Sequence, residues 1–599
     1  MLLRYDDIKM KQPLIFIGLT VCLLTFFVGC TDKDLPVSHP DSEGTTGLAN
    51  ITFQLNVALG GENGMTRAMS DSTIGHSIET TISTLHLFVV PLTGGSENWE
   101  AMEYGIARLG NTYQNPVCVT MKGVSFRQMR VYVGANMSEE QVMAFRQSKD
   151  EYEIPKDGAL QYYYGAINQF APFPVEGMER DPKNIVMFAR DVFSVDLDNM
   201  TQKNSDDRIN LGTVYLKRIV AKILVTCEVN ETDVNYVKIT GDLEHENEPK
   251  GWTRQEEVYY FVNNMPRRTK YLQVYQDKNS DGIKETLVPN YNLKETLDNL
   301  ATKFSPLKFD VTEIKKKYIH YDQLELYNHN QSFQKSVIWN QNEYDKLINN
   351  KESTYNKENT GMYTLENVFG IKDGDFTDVQ LAQLKNYEAL PILTHVSIAA
   401  KFTPRFIFVT NEEWNGEGED DKSAMKKQTL ADGSVLEAKV KKIKEYDGNY
   451  LYLICEDEEA AKKILTYSLE KHEHLTKEDY DPDKKYMYPA ETYFAYWGTD
   501  EAYFCSYGAA SKGNKEGHNW PEMVPYTGGW NYYYTYINNE REGPVTSIGQ
   551  SCIERNCYYI LRVNSIGSLG SSISDPRYIK VHTLKSGWQY GGEGETTLH

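Results

Sequence analysis

Asn50-Ile51-Thr52-Phe53-Gln54-Leu55-Asn56-Val57-Ala58-Leu59 alternates strictly, placing Ile51, Phe53, Leu55, Val57 and Leu59 on one face. Successive side chains of a strand point to opposite faces, so a period of two over ten residues predicts a half-buried β-strand. Gly60-Gly61-Glu62-Asn63-Gly64 ends it. Met65-Thr66-Arg67-Ala68 follows in a polar, Gly-rich loop, where a protease would find extended, accessible backbone. Residues 82–91 (ISTLHLFVVP), 131–134, 185–188, 236–239 and 259–262 read as further strands, and 211–229 (LGTVYLKRIVAKILVTCEV) as strand that must contain a turn or bend. Tyr is abundant, at 42 of 599 residues, and together with recurring β-branched residues it favours strands over helices. Strands joined by loops without regular helices between them predict an all-β, antiparallel sandwich.

Upstream of this strand the chain changes character. Lys11 supplies a positive charge, 13–28 is almost uninterrupted Leu, Ile, Phe and Val, and Phe27-Val28-Gly29-Cys30 closes the run. A basic end, a short apolar core and a small residue before the cut make a secretory signal, and the run is too short for a spanning helix. Residues 1–9 include Asp6 and Asp7, which suit a signal poorly, so Met10 is the expected start. Cys30 directly after Gly29 has the form of a bacterial lipobox, whose thiol is acylated, palmitate being one such chain. Residues 1–30 are thus predicted to be a lipoprotein signal peptide, holding the mature chain to a membrane outside the cytoplasm. Residues 31–49 are polar, with Pro, Gly, Ser and Thr and no apolar period, and read as a flexible tether.

Residues 50–599 are enough for two cores, since single cores rarely grow past about 250–300 residues. The expected division is 50–275 and 276–599. A net charge of −21 argues against nucleic acid as a partner, because phosphate neutralisation needs a basic stripe. The second half opens on Asp277-Lys278-Asn279-Ser280-Asp281-Gly282-Ile283-Lys284-Glu285, with oxygen ligands at Asp277, Asn279, Asp281 and Glu285 and a Gly for a sharp turn. That is the front of a calcium loop, but its twelfth position is Val288 instead of the bidentate Glu, so a solvated Asx-turn is the competing reading. No other cofactor is expected. Residues 290–388 are Lys-, Asn- and Tyr-rich with a helical patch at 293–304, and read as an insertion. Later elements are a strand at 394–402, a surface helix at 456–470, an aromatic strand after a Gly-Gly turn at 526–537, and strands at 554–563 and 578–588.

Catalytic signatures are missing: there is no GxSxG, phosphate loop, GxGxxG after a strand, or HExxH. His472-Glu473-His474 and Glu419-Asp420-Asp421 read as solvated turns, not as metal or acid–base pairs. Cys118, Cys227, Cys455, Cys505, Cys552 and Cys557 form no CxxC pair, which predicts buried free thiols and no zinc site. The expectation is a protein without catalytic residues.

Five segments together resemble the fimbrillin superfamily, the type V pilus subunits of Bacteroides-type bacteria, and within it the minor fimbrium shaft subunit with its C-terminal domain. They are the lipobox Cys30; the strand 51–59 followed by Thr66-Arg67-Ala68; 82–91; Lys217-Arg218-Ile219-Val220-Ala221-Lys222-Ile223; and Glu554-Arg555-Asn556-Cys557-Tyr558-Tyr559 through Val563-Asn564-Ser565-Ile566-Gly567-Ser568-Leu569-Gly570. The resemblance implies two transthyretin-like β-sandwich domains in tandem, with helical and loop insertions in the second. It also implies a fimbrial subunit at the outer membrane and cell surface that supports adhesion, exported as a lipoprotein, cut between Arg67 and Ala68, and polymerised by donor-strand exchange. The displaced strand would carry Ile51, Phe53, Leu55, Val57 and Leu59, and the donor Tyr578, Ile579, Val581, Leu584 and Trp588. Partners would be other copies and accessory fimbrial subunits. The alternative is a tip adhesin or glycan-binding surface lipoprotein, with Trp530, Tyr532, Tyr533 and Tyr534 as a stacking platform.

Overall fold

The structure, a computed structural model, describes residues 49–59, 81–109, 114–147, 185–197, 208–272, 334–370, 393–414, 424–472, 488–537 and 553–572, short gaps aside, and a few short strands elsewhere. It is mostly β-sheet. The first sheet is built from β1 (Ala49–Leu59), β2 (Thr84–Thr93), β3 (Glu103–Arg108), β4 (Val117–Val124), β5 (Gln128–Ala135), β6 (Met187–Ala189), β7 (Phe193–Asp196) and β8 (Ile209–Arg218). Its order is β2-β5-β6-β8-β1-β4, with β3 on β2 and β7 on β5. The sheet curls until β3 faces β4 across the core. A Cβ on Gly105 would collide with Met121 and Val119, so only Gly allows that approach.

One face of this sheet buries Ile51, Phe53, Leu55, Val57, Leu85, Leu87, Val131, Val214 and Leu216 in a core of its own. The other face packs on helix α1 (Glu139–Arg146), which starts with a capping box between Ser138 and Gln141. Phe145 of that helix meets Phe88, Trp99, Phe188 and Tyr271 at ring-centroid distances of 4.6, 5.5, 5.1 and 5.7 Å.

The expected bend in 211–229 falls at Ile219. There β8 leaves the first sheet and β9 (Val220–Cys227) enters another, beside β13 (Cys557–Ile566), once β10 (Val258–Asn263), β11 (His395–Lys401) and β12 (Trp530–Tyr536) are counted in chain order. β10, β11 and β12 form an antiparallel sheet whose core is shared with β9 and β13. A further seven-stranded sheet, including Phe406–Thr410, Tyr450–Cys455, Tyr493–Trp497 and Ala502–Cys505, packs against α2 (Glu458–Lys471) and α3 (Tyr507–Glu516).

Strands 220–227 and 258–263 pair with strands from 557–566 and 395–401, so the first sheet ends at Ile219. Two expectations change. The sheets are not wholly antiparallel: β1 runs parallel to β8, and β9 parallel to β13. Finally, Ala301–Thr302, inside the predicted helical patch, is strand paired with Ser305–Phe309. The helix at 458–471 is present with its Asp457 cap, but it is more buried than a surface helix, with Glu458, Ile464, Leu465 and Leu469 inside.

Candidate functional site

The site is the seat of β1. Its apolar residues alternate inward as the sequence requires: Phe53 and Leu55 are fully buried, and Ile51 and Val57 are 8% and 4% exposed. Leu59 packs at the margin of the same core. Thr52, Gln54 and Asn56 point away, and Thr52 Oγ1 lies 3.0 Å from Thr120 Oγ1 across the β4 pair. β4 pairs antiparallel, from Ala49 opposite Val124 to Leu55 opposite Val117. β8 pairs parallel, from Phe53 opposite Ile209 to Leu59 opposite Leu216. One residue of β8 bulges out between Gln54 and Leu55, where Gly212 adopts φ +73 and its N–H meets Asn210 Oδ1 at 2.9 Å. β1 is therefore an inner strand, and its removal would leave a slot with main-chain partners on both sides.

Below the seat, the β8–β9 junction is held by the Arg555-Asn556 turn. Asn556 takes the left-handed φ of +58 that Asn tolerates, and its Oδ1 accepts from Arg218 Nη1 at 3.1 Å. Its own N–H donates to the Val220 carbonyl at 2.7 Å. Arg555 is buried: Nε donates to Glu366 Oε2 at 2.8 Å, Nη1 to the Tyr271 carbonyl at 2.7 Å, and Nη2 to the Lys270 carbonyl and Thr269 Oγ1. Sequence reading picked out this Arg-Asn pair but not its partners, which lie far away along the chain.

Cys30, Arg67, Ala68, Tyr578, Ile579, Val581, Leu584 and Trp588 lie outside the described residues, as do Asn279 and Asp281. Asp277 and Glu285 stand opposite each other in an antiparallel hairpin, Tyr275–Asp277 with Glu285–Leu287. Among the described residues no group of His, Cys, Asp and Glu is arranged to hold a metal. The aromatic platform fails as an exposed surface. Tyr532, Tyr533 and Tyr534 are only 4%, 2% and 8% exposed, and Trp530 packs on Tyr259 at 5.9 Å. Both faces of β12 are covered, so alternation does not expose half of its side chains. Cys227, Cys455 and Cys505 are buried free thiols, and burial pushes Cys227 up to about 12.

His472 does not sit in a solvated turn: its Nε2 is 3.5 Å from Glu413 Oε1. Glu413 is buried and accepts from Thr410 N at 2.8 Å, Ser506 Oγ at 2.8 Å, Gly508 N at 3.1 Å, and Ser468 Oγ. Burial pushes this carboxyl's pKa up, but the nearby His472 imidazole and the hydrogen bonds from Ser468, Thr410 and Ser506 outweigh it and hold the group below the usual carboxylate range. In a nucleophilic triad the imidazole stands between hydroxyl and acid. Here the acid stands in the middle, at the N-terminus of α3, as a clamp that the helix dipole favours.

The sequence matches the family described as "Major fimbrial subunit protein type IV, Fimbrillin, C-terminal" over residues 525–586. A comparison with curated proteins returns no match. Among solved structures, a fimbrilin of Porphyromonas gingivalis W83 is 11% identical, covers 92% of this chain and 98% of its own, and superposes with a TM-score of 0.32. A Parabacteroides distasonis protein assigned to cell adhesion is 12% identical, covers 90% of this chain and 100% of its own, and gives 0.30. The fimbrial anchor protein Mfa2 of P. gingivalis is 8% identical over 40% of this chain and 67% of its own, with 0.19. The family match spans the whole of β12 and β13, including the Arg555-Asn556 turn that secures the β8–β9 junction. The likeness to the fimbrillin family thus lies in residues 525–586, the C-terminal segment that carries this turn.

Proposed function

We propose that the protein is a structural subunit of a cell-surface fimbria that supports adhesion, with two transthyretin-like sandwich domains. It is exported as a lipoprotein through Cys30 and cut between Arg67 and Ala68, whereupon β1 leaves its seat and an extended segment of another copy, carrying Tyr578, Ile579, Val581, Leu584 and Trp588, takes its place. The observation that carries this reading is β1 itself. It is an inner strand filling one core with four side chains, and the polar Arg67 loop follows it directly in sequence. At about 1.5–3 kcal/mol for each buried side chain, those four contribute on the order of 6–12 kcal/mol. That is comparable to the whole stability of a domain, about 5–15 kcal/mol. An emptied seat with two unpaired main-chain edges would therefore refill with whatever extended segment is at hand.

The test uses the chain from Asn50 onward. It should be monomeric while β1 fills the slot. Limited trypsin cleavage at Arg67 should convert it to ladders that survive mild detergent, and deleting 578–599 should abolish them. A nicked, full-length chain that stays monomeric at high concentration defeats strand exchange. Separately, Cys30→Ala should leave a precursor that takes up no radiolabelled fatty acid; equal labelling would remove the lipid anchor.

A further inference from the structure

The main-chain ladder between β1 and β4 stops at Leu55 opposite Val117. Continued in register, the next positions would set Asn56 against Pro116 and Val57 against Asn115. Asn115 and Pro116 form a bend that precedes β4, so the main-chain ladder goes no further. Asn115 completes the ladder with its side chain instead. The Val57 N–H donates to Asn115 Oδ1 at 2.9 Å, and Asn115 Nδ2 donates to the Val57 carbonyl at 3.0 Å. A side-chain amide offers one donor face and one acceptor, the same pair that an opposing residue's main chain presents in an antiparallel hydrogen-bonded pair. Val57 meanwhile keeps its side chain in the core and its place opposite Val214 of β8.

We propose that Asn115 is the register pin of the seat. It recognises the main chain of whatever strand lies between β4 and β8, at the position Val57 holds, and so fixes how far that strand slides and forbids proline there. The part concerning an incoming strand rests on the strand-exchange reading above; the pin on β1 does not. Because Asn115 touches only N–H and C=O, it accepts any side chain the core accepts, which suits a slot filled first by the chain's own β1 and then by a segment of different sequence from a second copy.

Two measurements separate these parts. In the intact chain, Asn115→Ala should speed hydrogen exchange of the Val57 amide by about tenfold or more, as expected from losing a pair of hydrogen bonds, while the Phe53 amide is unchanged. Asn115→Gln, which carries the amide one methylene further, should do the same and guards against an Ala variant that folds poorly. Unchanged Val57 exchange in a folded variant overturns the proposal. In the second arm, a synthetic 49–59 peptide is exchanged into Arg67-nicked protein, with an ester replacing the Val57 amide. The ester should shorten peptide residence about tenfold in the native seat and leave it unaltered in the Asn115→Ala seat. An ester effect of equal size in both seats overturns recognition by Asn115. A peptide that never enters, with the Val57 exchange effect present, sinks strand release and upholds the pin.

Discussion

Replacing Glu366 by Gln removes one charge from a pair that water does not reach. The Glu366 and Arg555 side chains are 0% and 1% exposed, with Nε to Oε2 at 2.8 Å and Nη2 to Oε2 at 2.6 Å. A Gln keeps the shape and one acceptor but leaves the guanidinium uncompensated. Breaking a buried pair in this way costs about 3–5 kcal/mol, and the retained acceptor puts Glu366→Gln near 3 kcal/mol, at the lower end. Replacing both residues together, Glu366→Leu with Arg555→Met, removes the charge problem. It still strips donors from the Lys270 and Tyr271 carbonyls, a loss of about 1–3 kcal/mol. The double variant should therefore be no less stable than the single one. Urea unfolding followed by tryptophan fluorescence reads both through the midpoint at constant slope. A Glu366→Gln cost below about 1 kcal/mol, or a double variant clearly worse than the single, refutes the view that this pair is a buried lock.

Three further outcomes follow from the geometry. Phe53→Ala, in a fully buried position of β1, should cost about 3–5 kcal/mol in thermal unfolding, whereas Thr52→Ala on the outer face should stay within about 1 kcal/mol. Burial lowers His86 and His395 from 6.5 to about 4, so the unfolded chain takes up their protons first; stability should be full above pH 6.5 and fall between 6.5 and 4, by up to about 3 kcal/mol for each histidine, and His86→Gln should flatten that slope in denaturation curves taken across the range. Gly508→Ala should lower the melting temperature through a cost of about 1–3 kcal/mol, because a Cβ there runs into the Glu413 carboxylate and the His472 ring.

What could be read in the sequence was what is local. The alternation of Ile51, Phe53, Leu55 and Val57 fixes which face of β1 is buried, and the length of 211–229 demands the break found at Ile219. Pairing is not local. β1 and its parallel neighbour β8 lie on either side of six other labelled strands, and nothing in either stretch names the other. Arg555-Asn556 stands out as a motif, yet Arg555 reaches Glu366 across 189 positions and Asn556 reaches Arg218 across 338. Tyr532-Tyr533-Tyr534 misleads because alternation assumes a sheet with one wet face. This sheet is covered on both, so consecutive tyrosines are all inside. Glu458 misleads in the same way: an acidic first turn reads as surface, but Arg254, Tyr236 and Lys462 surround it and let the carboxylate sink to 2% exposure.

The division at Ile219 bears on whether a vacated seat could keep its shape. All buried members of the β1 core lie between Ile51 and Leu216, so losing β1 strips contacts from that core alone. β8, the parallel wall of the slot, is anchored elsewhere. It runs through Ile219, which is fully buried with its N–H on the Val186 carbonyl, into β9, and β9 is zipped from Lys222 to Cys227 against β13. Asn556 ties both sides of that passage, through Arg218 before it and Val220 after it. On the opposite face of the first sheet, Phe88, Tyr132 and Phe188 are packed under Phe145 and belong to the larger core shared with β9 and β13. The wall and back of the slot thus rest on contacts that do not involve β1. A seat supported from behind in this way can lose its strand and still present the paired edges of β4 and β8 to a replacement, which is the physical condition that strand exchange sets on a subunit.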